Sequence, residues 1–133
     1  MRVLFIHPTT RLMEENRRWM KLISPIPSLG IAYIAAVLQR HGIDVEIIDQ
    51  VSARISNERL LNKIKKYSPD IIGFSCLTSV MNNVRVLSDN IRTFSDALIV
   101  LGNIHPTIFA KKLLEQKIAD VIVRGEGEAA TLN

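Results

Sequence analysis

Apolar positions follow two alternating patterns along the chain. Five short runs stay largely apolar and β-branched, as strands covered on both faces do: VLFIH (3–7), VEIID (45–49), IIGFS (71–75), LIVLG (98–102) and DVIVR (120–124). Between them lie LGIAYIAAVLQRHG, SNERLLNKIKKYS, SVMNNVRVLSDNIRTFS and PTIFAKKLLEQK, whose apolar residues recur near the helical period. Leu60, Leu61, Ile64 and Tyr67 form one such face. Gly42 after His41 suits a left-handed helix end, and Ser56 with Arg59, then Ser68-Pro69, punctuate the second helix.

Strands alternating with helices through short connections predict a parallel sheet, because each crossover is right-handed and lays a helix on one face. The fold class expected is α/β: a three-layer, doubly wound, Rossmann-like sheet of flavodoxin type, with five strands in the order 2-1-3-4-5. In such a sheet a ligand sits outside the carboxyl ends of the strands, so the loops after His7, Ser75, Gly102 and Arg124 are the ones that carry chemistry.

Composition narrows the function. The chain has 133 residues, 47% of them hydrophobic, which fits one domain. Its single cysteine, Cys76, forms no internal disulfide and cannot build a multi-cysteine metal site, as suits a reducing cytosol. The longest apolar run, 29–38, is half the roughly 20 residues that cross a bilayer, so a cytoplasmic protein without a membrane span is expected. A formal charge of +4 is scattered along helix patterns with few aromatics, which disfavours a nucleic-acid partner.

Several uses of this architecture are excluded at the strand ends. A receiver domain wants an aspartate ending strand three, where this chain has Phe74-Ser75-Cys76; a dinucleotide fold wants G-x-G-x-x-G after strand one, and none is present. The flavodoxin turn is also missing, since HPTTRLMEENRRW has two threonines but no glycine. Pro8, Pro25 and Pro27 bracket a long loop after strand one. It reads either as a lid or docking surface, or as a surface excursion packing Leu12, Trp19 and Ile23 on the body.

Ser75, Thr78 and Ser79 place small hydroxyls at the switch point, where they either meet a ligand or cap the next helix. Gly102 allows close backbone approach, Pro106 suits a first helical turn, and Asn103 or His105 then projects into the crevice. His105 reads as a loop-bracing imidazole in preference to a metal ligand, and Cys76 as a buried filler. In RGEGEAA, Gly125 and Gly127 permit a turn, and Glu126 and Glu128 put acid at a helix start.

SPIPSLGIAYIAAVLQRHGIDVEIID, PDIIGFSCLTSV, IVLGNIHPT and DVIVRGEGEAA, in that order, resemble the N-terminal cobalamin-binding domain of the B12-dependent radical SAM enzymes, a family that includes the anaerobic magnesium-protoporphyrin ester cyclase and many methyltransferases. The resemblance implies a corrinoid ligand, cobalamin, held at Pro8, Thr9, Ser75, Thr78, Ser79, Gly102, Asn103, His105, Pro106, Thr107, Gly125, Glu126 and Gly127, with no catalytic residue and no metal ligand in this chain. Ser75, Thr78 and Ser79 would line the slot for the nucleotide tail, and Arg124 and Glu126 would face the ligand or a neighbouring domain. It implies further that residues 1–133 are cut from a longer protein, whose C-terminal radical SAM domain binds S-adenosylmethionine and a [4Fe–4S] cluster and which performs methyl transfer or oxidative cyclisation of a porphyrin-like substrate. The rival is a docking domain that kept the fold and lost cobalamin.

Two departures from the family matter. Its turn after strand four reads Gly-Gly-x-His-Pro-Thr, whereas this chain has Asn103 at the second glycine, narrowing the slot. The Asp-x-His-x-x-Gly motif that supplies a lower axial histidine is absent, and none of His7, His41 or His105 stands in it.

Overall fold

The computed structural model describes residues 1–22, 24, 26 and 28–131. In chain order the elements are β1 (Arg2–His7), α1 (Arg11–Glu15), α2 (Arg18–Leu22), α3 (Leu29–Arg40), β2 (Asp44–Asp49), α4 (Asn57–Tyr67), β3 (Ile71–Ser75), a 3-10 turn (Thr78–Val80), α5 (Met81–Ile91), β4 (Leu98–Gly102), α6 (Ile104–Glu115), β5 (Val121–Ile122) and α7 (Gly127–Ala130). All neighbouring strands pair in parallel, in the order β2-β1-β3-β4-β5. This is the doubly wound α/β sheet expected from the alternation of patterns.

The period-2 geometry of a strand sorts its side chains onto two faces. Leu4, Ile6, Ile72, Phe74, Ile99 and Leu101 point to one face, where Leu60 and Ile64 of α4, Val84, Leu87 and Ile91 of α5, and Leu113 of α6 complete the larger core. Val3 and Phe5 point to the other and meet Ile31, Ala35 and Leu38 of α3. Side chains carried beyond Phe5 on this second face are small: Gly73 and Ser75 on β3, then Gly102 on β4, paired in register as Phe5 with Gly73 and Ser75 with Gly102. The second face is therefore shallow toward the carboxyl ends of β3 and β4.

Helix boundaries follow local chemistry. Ser56 caps α4, its hydroxyl accepting from the Arg59 amide at 3.2 Å. Gly42, at φ 76°, follows α3 in the left-handed region that glycine tolerates. Three expectations need correction. α6 begins at Ile104 and not at Pro106, which falls within its first turn, because Asn103 takes the capping position and its carboxamide oxygen accepts from the Ile104 amide at 2.8 Å. β5 pairs over two residues only, opposite Val100 and Leu101. The loop after β1 carries two short helices, and neither Leu12 (63% exposed) nor Trp19 (48%) packs on the body; Ile23, Pro25 and Pro27 lie outside the described residues.

What holds that loop is polar. Thr10 caps α1 by accepting from the Met13 amide, and the Glu14 carboxylate accepts from the Asn57 amide at 2.9 Å. Beneath it lies a closed ring of buried amides. Thr9 N–H donates to Gln50 Oε1, Gln50 Nε2 to Asn57 Oδ1, Asn57 Nδ2 to Asn83 Oδ1, and Asn83 Nδ2 back to the Thr9 carbonyl and to Asn57 Oδ1. Every member is buried, so satisfied polar groups take the place of apolar packing in tying α1 to the α4 and α5 layer.

Candidate functional site

A cleft of about 390 Å³ opens on the α3 face at the carboxyl ends of β3 and β4. Phe5, Gly73, Ser75, Val100 and Gly102 belong to the strands beneath it and Val123 directly follows β5, Gly30, Ile31 and Ile34 come from α3 with Ser28 just before it, and Gly125, Glu126, Gly127 and Thr131 come from the segment leading through α7. Asn103 stands at its edge beside Ser75.

Absent side chains make this space. A Cβ on Gly73 would lie 2.7 Å from the Phe5 ring, and one on Gly127 would lie 2.5 Å from Ile34 Cδ1. Gly102 differs, since a Cβ there would meet only Val123, at 4.0 Å; glycine at this position keeps the cleft open to an incoming group.

Asn103 is the conspicuous residue of the site. Its backbone sits at φ 82°, ψ −167°, a region that glycine adopts freely and other residues enter at a cost of about 1–3 kcal/mol. Three hydrogen bonds hold it there. Nδ2 donates to Ser75 Oγ at 3.0 Å, Oδ1 accepts from the Ile104 amide, and the backbone carbonyl accepts from Thr107 Oγ1 at 2.9 Å. The first of these ties the tips of β3 and β4 together across the mouth of the cleft.

His105 joins the same two loops from outside. Its Nδ1 lies 3.1 Å from Thr78 Oγ1, its backbone amide donates to the Cys76 carbonyl, and its ring stacks at a tilt on Phe109, where α6 departs from helical geometry. Burial, and then the positive charges of Arg85 and Lys112, hold the imidazole below its ordinary value. Thr78 thus spends its hydroxyl on His105, and neither Thr78 nor Ser79 caps α5; the expected capping is replaced by a 3-10 turn whose backbone leads into the helix. Cys76 is fully buried, and burial pushes its thiol up, far from a reactive thiolate.

The structure therefore divides the sequence-predicted site residues. Ser75, Gly102, Asn103, Gly125, Glu126 and Gly127 line the cleft. Thr78 and His105 form the bridge just described, Ser79 and Thr107 are exposed, and Pro106 is buried beneath the first turn of α6. Pro8 and Thr9 are buried, Thr9 in the amide ring, and neither lines the cleft. Phe5, Gly73, Val100, Val123, Ile31 and Ile34 were not singled out by motif. For Phe5, Gly73 and Val100 a signal was present: a glycine inside an apolar strand marks a close approach, and same-face neighbours at period 2 follow from it.

His7 and Asp49 form a second pair, at the ends of β1 and β2, with Nδ1 and Oδ2 3.3 Å apart. Burial raises the Asp49 carboxyl, but hydrogen bonds from the Ser52 amide and hydroxyl, and then the nearby His7 imidazole, outweigh it, leaving the group below its ordinary value of 3.8. A carboxyl lowered on folding adds stability that is present above its unfolded value and is lost as pH falls through the folded one. The melting temperature of the wild type is thus expected to fall more steeply than that of Asp49→Asn as pH drops below about 4, as read by circular dichroism. Parallel curves would remove Asp49 from the account.

Fold and cleft together define a doubly wound α/β domain with a cleft at the carboxyl ends of its strands. Residues 21–133 match the family model described as B12 binding domain, and the chain belongs to that family. It is 32% identical over its whole length to the anaerobic magnesium-protoporphyrin IX monomethyl ester cyclase of Cereibacter sphaeroides and 34% identical to the enzyme of the same description from Rubrivivax gelatinosus. The chain spans only 21% and 24% of those relatives. Among solved structures, the radical S-adenosylmethionine methyltransferase TsrM of Kitasatospora setae, described with cobalamin and a [4Fe–4S] cluster bound, superposes on 98% of this chain with a TM-score of 0.76 at 20% identity, over 23% of its own length. OxsB, a cobalamin-dependent S-adenosylmethionine radical enzyme described with aqua-cobalamin and S-adenosylmethionine bound, does so with a TM-score of 0.79 at 19% identity, over 98% of this chain and 18% of its own. At such identity these two share the fold. No helix among the described residues is long and apolar enough to cross a membrane.

Proposed function

We propose that this domain binds cobalamin across the carboxyl ends of its strands, with the nucleotide tail of the corrinoid seated in the cleft between α3 and α7. The observation that carries the reading is the run of small residues, Gly73, Ser75 and Gly102, on one face of β3 and β4, which leaves a cleft of about 390 Å³ where a doubly wound sheet takes its ligand. That volume lies within the range of small-molecule sites, roughly 300–1,000 Å³. The lining fits a nucleotide: Phe5, Ile31, Val100 and Val123 offer apolar contact to a planar base, and the Ser75 hydroxyl and Asn103 carboxamide offer hydrogen bonds at its edge. Bound cobalamin supplies a cobalt centre that carries a methyl group or exchanges electrons. The chain's own residues bind and orient the corrinoid, and among the described residues no histidine lines the cleft.

The domain serves, on this reading, as the N-terminal module of a longer cytoplasmic protein whose radical SAM domain binds S-adenosylmethionine and a [4Fe–4S] cluster. Its full reaction is methyl transfer or oxidative cyclisation of a porphyrin-like substrate. The lengths of the relatives support a further domain, and exposed Arg124 and Glu126 at the rim suit its docking.

The test is to incubate the purified chain with hydroxocobalamin, remove free ligand by gel filtration and record the visible spectrum of the protein peak. Near-stoichiometric corrinoid with a base-off spectrum is expected. Ser75→Trp fills the cleft from its floor and is expected to give a colourless peak with an unchanged far-ultraviolet circular dichroism spectrum. A colourless wild-type peak would turn the reading to a docking domain that has lost cobalamin.

A further inference from the structure

Resting on the proposed seating of the nucleotide tail in the cleft, the geometry points to Asn103 as a specificity residue that selects a corrinoid whose tail carries adenine over one that carries dimethylbenzimidazole. The residue occupies backbone space suited to glycine, yet brings a carboxamide to the mouth of the cleft. Its orientation is set before any ligand arrives, one N–H being given to Ser75 Oγ and one lone pair of Oδ1 to the Ile104 amide. A primary amide has two N–H donors and two acceptor lone pairs, so one of each remains. Ser28 and Glu126 add further polar groups to the same lining.

The two tail bases differ at their edges more than at their faces. Both are flat, aromatic and equally suited to Phe5, Val100 and Val123. Adenine carries an amino donor beside ring-nitrogen acceptors, the pattern that an asparagine carboxamide reads. Dimethylbenzimidazole carries two methyl groups on its outer edge and no N–H or O–H donor. Seating it against Asn103 would desolvate the free N–H and the free lone pair and leave at least the lone pair unpaired. A site built to hydrogen-bond one ligand discriminates in this way against an analogue without the matching group.

Three probes separate this inference from the reading beneath it: hydroxocobalamin, its adenine-tailed analogue hydroxopseudocobalamin, and aquacobinamide, which has no nucleotide. Dissociation constants are measured by equilibrium dialysis, read in the visible, for the wild type, Asn103→Gly and Ser75→Ala. The wild type is expected to bind the adenine form about tenfold more tightly than cobalamin. Asn103→Gly should bring the two within about twofold of each other, and Ser75→Ala, which frees the carboxamide to turn, should fall between. Equal affinity for the two tails in the wild type, or a preference that survives in Asn103→Gly, would overturn the role of Asn103 while leaving corrinoid binding in place. Aquacobinamide binding as tightly as either complete corrinoid, or no binding of any probe, would overturn both.

Discussion

Asn83→Leu is expected to lower the unfolding free energy by about 3 kcal/mol and the melting temperature by about 10 °C. Leucine has the same number of side-chain heavy atoms, branched at the same carbon, and the position is fully buried, so solvent contact changes little. The loss comes from the partners left behind. Asn57 Nδ2 loses its acceptor at 2.7 Å and the Thr9 carbonyl loses its donor at 3.2 Å, and each buried group without a partner costs about 1–3 kcal/mol. Asn57 Oδ1 keeps the bond from Gln50 Nε2, which bounds the damage. The double variant Asn57→Leu/Asn83→Leu should be less destabilised than the sum of the single changes, because it removes the stranded amide as well. Hydrogen exchange at the Thr9 amide should quicken in Asn83→Leu, since that residue anchors the loop between β1 and α1. A shift in melting temperature below about 2 °C would mean that water or a rearranged ring satisfies the stranded groups.

The same ring shows where sequence reasoning stops. Strands β1, β3 and β4 were legible because covered parallel strands are largely continuous apolar runs; β2 was legible from VEIID although this edge strand buries only Ile48, and the order 2-1-3-4-5 is the flavodoxin-type order of a five-stranded doubly wound sheet. Asn83 and Thr9 stand 74 positions apart, and each taken alone is an unremarkable polar residue of a helix or loop. Their burial exists only once β1, α4 and α5 are assembled. Leu12 and Trp19 failed as packing residues for a related reason: the loop is secured by Thr9 and Glu14, so its apolar side chains were never required to hold it.

Asn103 was partly legible. Its departure from the Gly-Gly turn could be read directly, but not that it would keep the backbone of the missing glycine, at φ 82°. That outcome needs Ser75, Ile104 and Thr107 around it, and together their three hydrogen bonds offset a conformation that asparagine adopts reluctantly. The clustering of Ser75, Gly102 and the Gly125–Gly127 turn in one cleft was implied by the sheet order, since strand ends that are neighbours in space bring their loops together.

Gly73→Val couples the fold to the site and is expected to harm both. A Cβ at this position would lie 2.7 and 2.8 Å from two atoms of the Phe5 ring, and a valine adds two methyl groups beyond it. Phe5 packs with Val3, Ile31, Ala35 and Leu38, so inward movement is opposed by close-packed side chains. Overpacking of this kind costs about 1–3 kcal/mol, offset in part by the roughly 0.5–1 kcal/mol that glycine costs inside a strand. The ring has one open side, the cleft that it lines together with Gly73. Relief of the clash therefore moves aromatic volume into the space assigned to the ligand. A loss of about 1–2 kcal/mol in urea unfolding, accompanied by failure to retain hydroxocobalamin at a temperature where the variant remains folded, is the expected pair of results. Phe5→Leu in the same chain is the decisive partner. It removes ring atoms beside position 73, and should restore part of the stability and part of the retention together. Retention that stays lost while stability returns would separate the strand packing from the ligand cleft, and would place the tail of the corrinoid elsewhere on the sheet edge.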